Sequence, residues 1–404
     1  MSLLAQFLLP RRVRLVHLCG GTEPTRKTAR GADPCRPPGR QWLAPGSERH
    51  RQFQGRALAA RLAVLALLSL LFLLLAGCGP REQTLALAGS TMGTTWSVQV
   101  PHPAADLDQA KLYEDISAVL EEVNGRMSTY QPSSELSRFN TATTTDWFPV
   151  SAELERLVAT ALAVSKATGG AFDVTVGPLV NLWGFGPEVH PDEIPPQADI
   201  DAARARVGWH RLHTRAAPPA LRKDRPDLYV DLSAIAKGHG VDRVAELLEG
   251  KGLTDYLVEI GGELRGRGVN AQGEPWRIAI ERPDPGRRAA LRVVALTDQA
   301  MATSGDYRNF FEVNGKRYSH TIDPATGRPV VHDLASVTVV AERCGDADAW
   351  ATSLLVLGPE KGMALANKRG LATLFVERLA PKGKEEELRI TESAAFAQAA
   401  GEQQ

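Results

Sequence analysis

One run divides the chain before any fold can be drawn. Leu62–Ala76, "LAVLALLSLLFLLLA", carries no charge and follows Arg51, Arg56 and Arg61. A basic stretch leading into a short apolar core is the pattern of a secretory signal. The run is shorter than the ~20 residues a spanning helix needs. The expected parts are therefore an extension over 1–55, a signal over 56–77 and a single domain over 78–404. The 404 residues carry no net charge, but residues 1–77 hold 12 of the 47 Lys+Arg and only Glu23, Asp33 and Glu48 among the acids. Residues 78–404 are left at −9. An acidic body with no basic stripe argues against nucleic acid as the main partner. Residues 1–55 are rich in Arg, Pro and Gly, lack apolar periodicity and stay outside the fold. They are either a real extension or lie upstream of a non-ATG start near Leu58, since no methionine occurs between Met1 and Met92.

The apolar run ends in "LLAGC", Leu74–Cys78, which resembles a bacterial lipobox. In that reading Cys78 becomes the first mature residue and carries a lipid, placing the domain in the cell envelope on the periplasmic side. The alternative is an uncleaved anchor with an incidental cysteine. Cys19 and Cys35 lie in the leader, so only Cys344 remains and no internal disulfide can form. The fold must rest on its hydrophobic core, which a domain of this size can supply.

Periodicity outlines that domain. Thr91–Val100 alternates like a strand after a short linker. Leu112, Ile116, Val119, Leu120, Val123 and Met127 recur at helical spacing within Leu107–Met127. Ser128–Asn140 reads as a loop, and Ser151 caps a second helix that stops at Gly169–Gly170. Ala171–Pro187 reads as a buried strand or turn, and Pro187–Pro226 as a variable excursion with one short helix near Ile200–Val207. Val241, Val244, Leu247 and Leu248 form a helix face ending at Gly250. Tyr256–Ile260 and Trp276–Glu281 look like paired strands, and Phe310–Ser319 is a hairpin around Asn314–Gly315. Ser336–Ala341 is a strand, Ala347–Leu357 a helix, Pro359–Gly370 another, and Leu371–Glu377 a final strand. Interleaved helices and strands with plain hairpins predict an α+β domain with a mixed sheet.

Few residues stand out as chemical. Asp348 and Thr352 are four apart, so one helix face presents both oxygens. A carboxylate and a hydroxyl are hard donors suited to Mg²⁺. Equally, Asp348 could favour the helix dipole and Thr352 bond back to its own backbone. Lys237 precedes a helix between small residues, where an anion could approach; a solvated lysine is the alternative. His320 follows the hairpin and could accept a proton from an alcohol, or be structural. No zinc pattern, serine elbow or dinucleotide fingerprint is present, and "GGELRGRG" (Gly261–Gly268) reads as turn chemistry.

Taken together, "TMGTTW", "MSTYQPSSELSRFN", "GGAFDVTVGPLVNLWGFGP", "DLSAIAKGHGVDR", "EIGGELRGRG", "ATSGDYRNFF", "YSHTIDPATGRP" and "ADAWAT" resemble the ApbE family of FAD:protein FMN transferases, long labelled thiamine-biosynthesis lipoproteins. The motifs run in family order over roughly Ser90–Glu377. The resemblance implies a T-fold-like α+β catalytic domain with mixed sheets and packed helices. It implies Mg²⁺-dependent transfer of FMN from FAD to a Thr or Ser hydroxyl of an acceptor protein, releasing AMP. Acceptors in the family are exported segments of respiratory complexes, such as the sodium-pumping NADH:quinone reductase and the Rnf complex. The metal would be held by Asp348, Thr352 and the backbone carbonyl of Ala234. Met92, Tyr130, Ala171, Phe172, Asp173, Asp231, Lys237 and Ile322 would line the FAD site, and His320 would activate the hydroxyl. His239 stands where members often carry a bulky aromatic, which bears on local flavin packing. FAD hydrolysis to FMN and AMP, or flavin binding without catalysis, are the alternatives.

Overall fold

The computed structural model describes residues 84–187, 193–284, 289–379 and 387–401. The signal run and Cys78 lie outside these residues. Residues Glu82–Gln404 form one compact unit, and no helix among the described residues is long and apolar enough to cross a membrane.

The unit opens with a hairpin, β1 (Thr84–Thr91) and β2 (Thr94–Pro101). Its turn, Met92–Gly93, has both φ angles positive, at 49° and 71°, as a tight hairpin turn requires. β1 was expected to be linker; "TLALAGST" is dominated by small residues, which weakens its alternation. Helix α1 (Gln109–Met127) is capped by Asp108, whose side chain accepts the Lys111 N–H at 2.9 Å. Its apolar stripe, Leu112, Ile116, Leu120, Val123 and Met127, is buried. The expected loop after it contains α2 (Glu135–Thr141), started by the buried Ser134, which accepts the Ser137 N–H at 2.9 Å. Two turns are too short for periodicity to reveal.

β3 (Phe148–Pro149) leads to α3 (Ala152–Ala167), capped by Ser151 as predicted. Ala171–Pro187 forms turns and a short helix, α4 (Gly177–Leu182), rather than a strand. The supposed excursion is structured: α5 (Gln197–Arg204), β4 (Leu212–Ala216) and β5 (Pro219–Lys223), the strands joining β3 in a three-stranded sheet. Lys223 anchors it. Fully buried, its ammonium donates to the carbonyls of Phe139 and Asn140, each at 3.1 Å, and of Leu228 at 3.4 Å.

Helix α6 (Ala236–Gly250) follows, then β6 (Tyr256–Ile260), β7 (Glu263–Arg267), β8 (Trp276–Glu281), β9 (Ala290–Leu296) and β10 (Gln299–Gly305). The glycine-rich "GGELRGRG" is thus a tight turn plus a full strand. The residue facing β6 lies on β7, not on β8, which pairs with β9 in a separate ribbon. The β11 (Phe310–Val313) and β12 (Lys316–Ser319) hairpin is as expected. Short β13 (Ile322–Asp323) and β14 (Arg328–Pro329) lead to β15 (Leu334–Ala341), α7 (Cys344–Leu357), α8 (Pro359–Arg369), β16 (Ala372–Arg378), β17 (Leu388–Glu392) and α9 (Ala394–Gly401).

The main sheet runs β1-β2-β6-β7-β10-β15-β16-β17. Every described pairing is antiparallel, so the expected mixed sheet is corrected. Helical connections misled here: α6 and α7 link strands that are not parallel neighbours. β15 is buried from Leu334 to Val340, Ser336 and Thr338 included, because both its faces are covered. Ala302, Val337 and Val339 pack under Ala347, Ala351 and Leu354 of α7. On the other face Met301, Val340 and Leu374 meet Trp276, Ile280 and Leu296 of the ribbon.

One contact fixes the helical layer. A Cβ on Gly238 of α6 would lie 2.4 Å from the Cys344 carbonyl oxygen at the start of α7. The obstacle is backbone and cannot rotate away. Gly238→Ala must part the two helices, and is expected to cost about 1–3 kcal/mol in chemical denaturation. Unchanged stability would show that the contact yields freely.

Candidate active site

The close approach of α6 and α7 brings together the residues that spacing alone left ambiguous. Gly238 N–H does not continue the helical ladder. It donates to Asp348 Oδ2 at 3.1 Å. It sits in the first turn of α6, where N–H groups have no acceptor within their own helix. This first-turn amide thus orients Asp348. The Ala234 carbonyl, just before the N-cap Ile235, accepts no hydrogen bond among the described residues. The Thr352 hydroxyl lies 2.8 Å from Ser304 Oγ on β10. Burial raises the Asp348 pKa, opposed by Lys237 and by the Gly238 N–H.

An unused carbonyl, a buried carboxylate and a hydroxyl form a hard all-oxygen set, which fits Mg²⁺. Among the described residues no three His, Cys, Asp or Glu side chains group to hold a metal.

Lys237 was expected to face an anionic ligand directly. Its ammonium instead pairs with Glu263 Oε1 at 2.6 Å. Burial opposes the lysine's charge, but Glu263 and Asp348 outweigh it and hold its pKa above the ordinary value. Glu263 opens β7 just after Gly261 and Gly262, whose φ angles of 61° and 109° form the turn that aims it inward. It is 3% exposed, and its second oxygen, Oε2, has no hydrogen-bond partner among the described residues. Burial pushes its pKa up to about 7, with Lys237 opposing and Asp348 adding to the rise. Sequence reasoning missed Glu263, because the glycines before it were read only as a turn. Ser304 was also missed.

His320 is held by Asn309. Its backbone N–H and its Nδ1 both meet the Asn309 carbonyl, at 3.1 and 3.0 Å. A carbonyl only accepts, so Nδ1 carries the proton and Nε2 keeps a lone pair. Burial and the charge of Lys237 lower its pKa, opposed by Asn309 and Asp306. Phe185 stands edge-on to the ring, with centroids 6.3 Å apart. Ile322, two residues on, is buried with Trp183 and Phe311 under the β11–β12 hairpin.

The remaining expected residues divide. Tyr130 is 62% exposed, and partial burial and then the charge of Asp231 raise its pKa. Asp231 accepts the Ser233 N–H at 2.8 Å. Met92, in the first hairpin turn, lies over α6 against Gly240. Asp173 is not a free acceptor: its carboxylate takes the Thr175 N–H and hydroxyl at 2.8 and 2.6 Å and the Trp209 N–H at 3.0 Å. Phe172 is 2% exposed in the core, and Ala171 beside it is half-buried. His239 turns toward α3, its Nε2 2.7 Å from Glu153 Oε1. The departure from an aromatic at this position is therefore answered by a buried polar contact.

Residues 92–375 match the family model described as the ApbE family. The chain belongs to the ApbE family. It is 49% identical over 313 residues to the FAD:protein FMN transferase of Vibrio cholerae, spanning 78% of this chain and 92% of that protein. It is 45% identical to the Escherichia coli K12 protein of the same name, over 72% of this chain and 84% of that one. The structure of the Vibrio cholerae flavin transferase ApbE superposes with a TM-score of 0.72 at 44% identity, covering 79% of this chain and 99% of that one. The apo Pseudomonas stutzeri flavinyl transferase gives 0.71 at 40% identity, over 79% and 98%. The chain is an enzyme of the transferase class, with the α+β architecture of these relatives.

The Lys237–Glu263 pair makes a checkable prediction. A carboxyl whose folded pKa is raised above its unfolded value contributes stability at low pH and loses it as pH rises through the folded pKa. Metal-free protein should therefore lose stability through Glu263 between roughly pH 4.5 and 7. Glu263→Gln should flatten that slope by on the order of 1–3 kcal/mol, read from denaturation midpoints at pH 5 and 8. An identical slope in the variant would mean Glu263 does not titrate in that range.

Proposed function

We propose that this ApbE-family transferase moves FMN from FAD to a Thr or Ser hydroxyl of an acceptor protein, with Mg²⁺, releasing AMP. The observation that carries the reading is the buried Asp348 carboxylate, oriented by the Gly238 N–H and borne on the same helix as Thr352. Relatives named FAD:protein FMN transferase support the donor and product. Mg²⁺, when held by Ala234, Asp348 and Thr352, would neutralise charge on the FAD diphosphate.

The chain's own residues supply the rest. Tyr130, with Asp231 beside it, offers an exposed aromatic face to a planar ring. Lys237 adds positive charge near the phosphates while Glu263 keeps it protonated. His320 Nε2 takes the proton of the acceptor hydroxyl. The hydroxyl oxygen bonds to the phosphorus of the FMN half, the diphosphate P–O bond breaks, and AMP leaves with the electron pair. Acceptors of the kind implied by the family, exported segments of respiratory complexes, fit a catalytic domain lipid-anchored at Cys78 and facing the periplasm.

The deciding test incubates an acceptor fragment with FAD, Mg²⁺ and the protein, and weighs the product. A gain equal to FMN is expected, lost in Asp348→Ala. AMP release at the same rate without acceptor would favour FAD hydrolysis, and tight FAD retention with no AMP would favour binding alone.

The pH profile tests His320 separately. A base acts when unprotonated, and its lowered pKa keeps it unprotonated to lower pH. The acidic limb of kcat/KM should have its midpoint below the ordinary histidine value of about 6.5, and His320→Ala should lose roughly 10²–10⁴-fold activity. An acidic limb that persists in His320→Ala would assign it to another group.

A further inference from the structure

Asp242 is 1% exposed and lies one helical turn beyond Gly238 on α6. Its two oxygens accept the first free amides of α7: Cys344 N–H on Oδ1 and Gly345 N–H on Oδ2, each at 3.0 Å. Arg265, at 3.2 Å from Oδ1, balances its charge, with Arg343 at 3.7 Å from Oδ2. α7 has no side-chain cap of its own, so Asp242 supplies one from the neighbouring helix. The contact is the second rung of a ladder whose first is Gly238 to Asp348. Position 242 faces 344 and 238 faces 348, four residues per step on each helix in opposite directions. Ala234 lies just before α6, beyond the N-cap Ile235.

We propose that Asp242 is a positioning residue for the metal site. It fixes the height of α7 against α6 and so sets where Asp348 and Thr352 stand relative to the start of α6. The inference rests on the metal reading given above. It adds a residue that touches neither metal nor substrate, and whose effect passes through helix register. A rigid helix transmits displacement of its first turn to both donors, because Asp348 is only about 6 Å along the axis from Cys344.

The test measures Mn²⁺ binding by electron paramagnetic resonance, with FAD present, in the full mature chain. Asp242→Ala should weaken Mn²⁺ binding by roughly 10–100-fold, the usual effect of losing a partner that orients a ligand. Asp242→Asn keeps one acceptor oxygen, and should lose less and remain folded. Glu249→Gln serves as the control. Glu249 joins the same charged cluster through Tyr256 at 2.6 Å and Arg265 at 3.2 Å, and among the described residues bonds to no α7 amide. It should lower the thermal midpoint while leaving Mn²⁺ affinity within about twofold. Wild-type affinity in both Asp242 variants would overturn the inference alone, as would an equal loss in Glu249→Gln. No Mn²⁺ binding by the wild type would overturn the metal reading and this inference with it.

Discussion

Two helices touching backbone to backbone organise the chemistry of this protein. Gly238 lets α6 reach the first turn of α7, and everything else follows from that proximity. A side chain there would hold the axes apart and take Asp348 out of reach of the Gly238 N–H. Because the helices touch, a first-turn amide with no acceptor in its own helix orients a buried carboxylate on the next one.

The same contact explains why function was partly legible in the sequence and partly not. Asp348 and Thr352 announced a shared helix face through spacing, and Ser151, Asn314–Gly315, Pro359 and Gly370 announced element ends through local chemistry. Those signals are local and survive in one dimension. Glu263 and Asp242 were silent because their meaning depends on partners far along the chain, at Lys237 and at Cys344. β1, α2, β4 and β5 were silent for another reason. Each is short or built from small residues, so neither a 2.0 nor a 3.6 period can build up. Antiparallel order was hidden by helices that look like crossover connections but are not.

Asp173 and Lys237, both implied at the flavin by the resemblance, are also engaged by the protein itself. Asp173 accepts three donors and clamps the α4 loop to Trp209. Lys237 is different, because a single ion pair leaves it donors to spare. A motif names a residue's neighbourhood; only the count of filled and unfilled valences says what the residue can still bind.

That count also accounts for the electrostatic order of the site. Asp348 and Glu263 are buried carboxylates with one lysine between them, so the protein alone leaves negative charge uncompensated. Burying such charge is unfavourable unless a proton or a cation offsets it. Glu263 is offset by Lys237 and by its raised pKa. Asp348 has only an amide and a shared lysine. Lys237 cannot serve both fully, and its charge also reaches His320, where it helps keep the imidazole neutral. A divalent cation at Asp348 would relieve that carboxylate without moving Lys237. Burial at the helix contact raises the pKa of both carboxylates, and Lys237 opposes the rise at each.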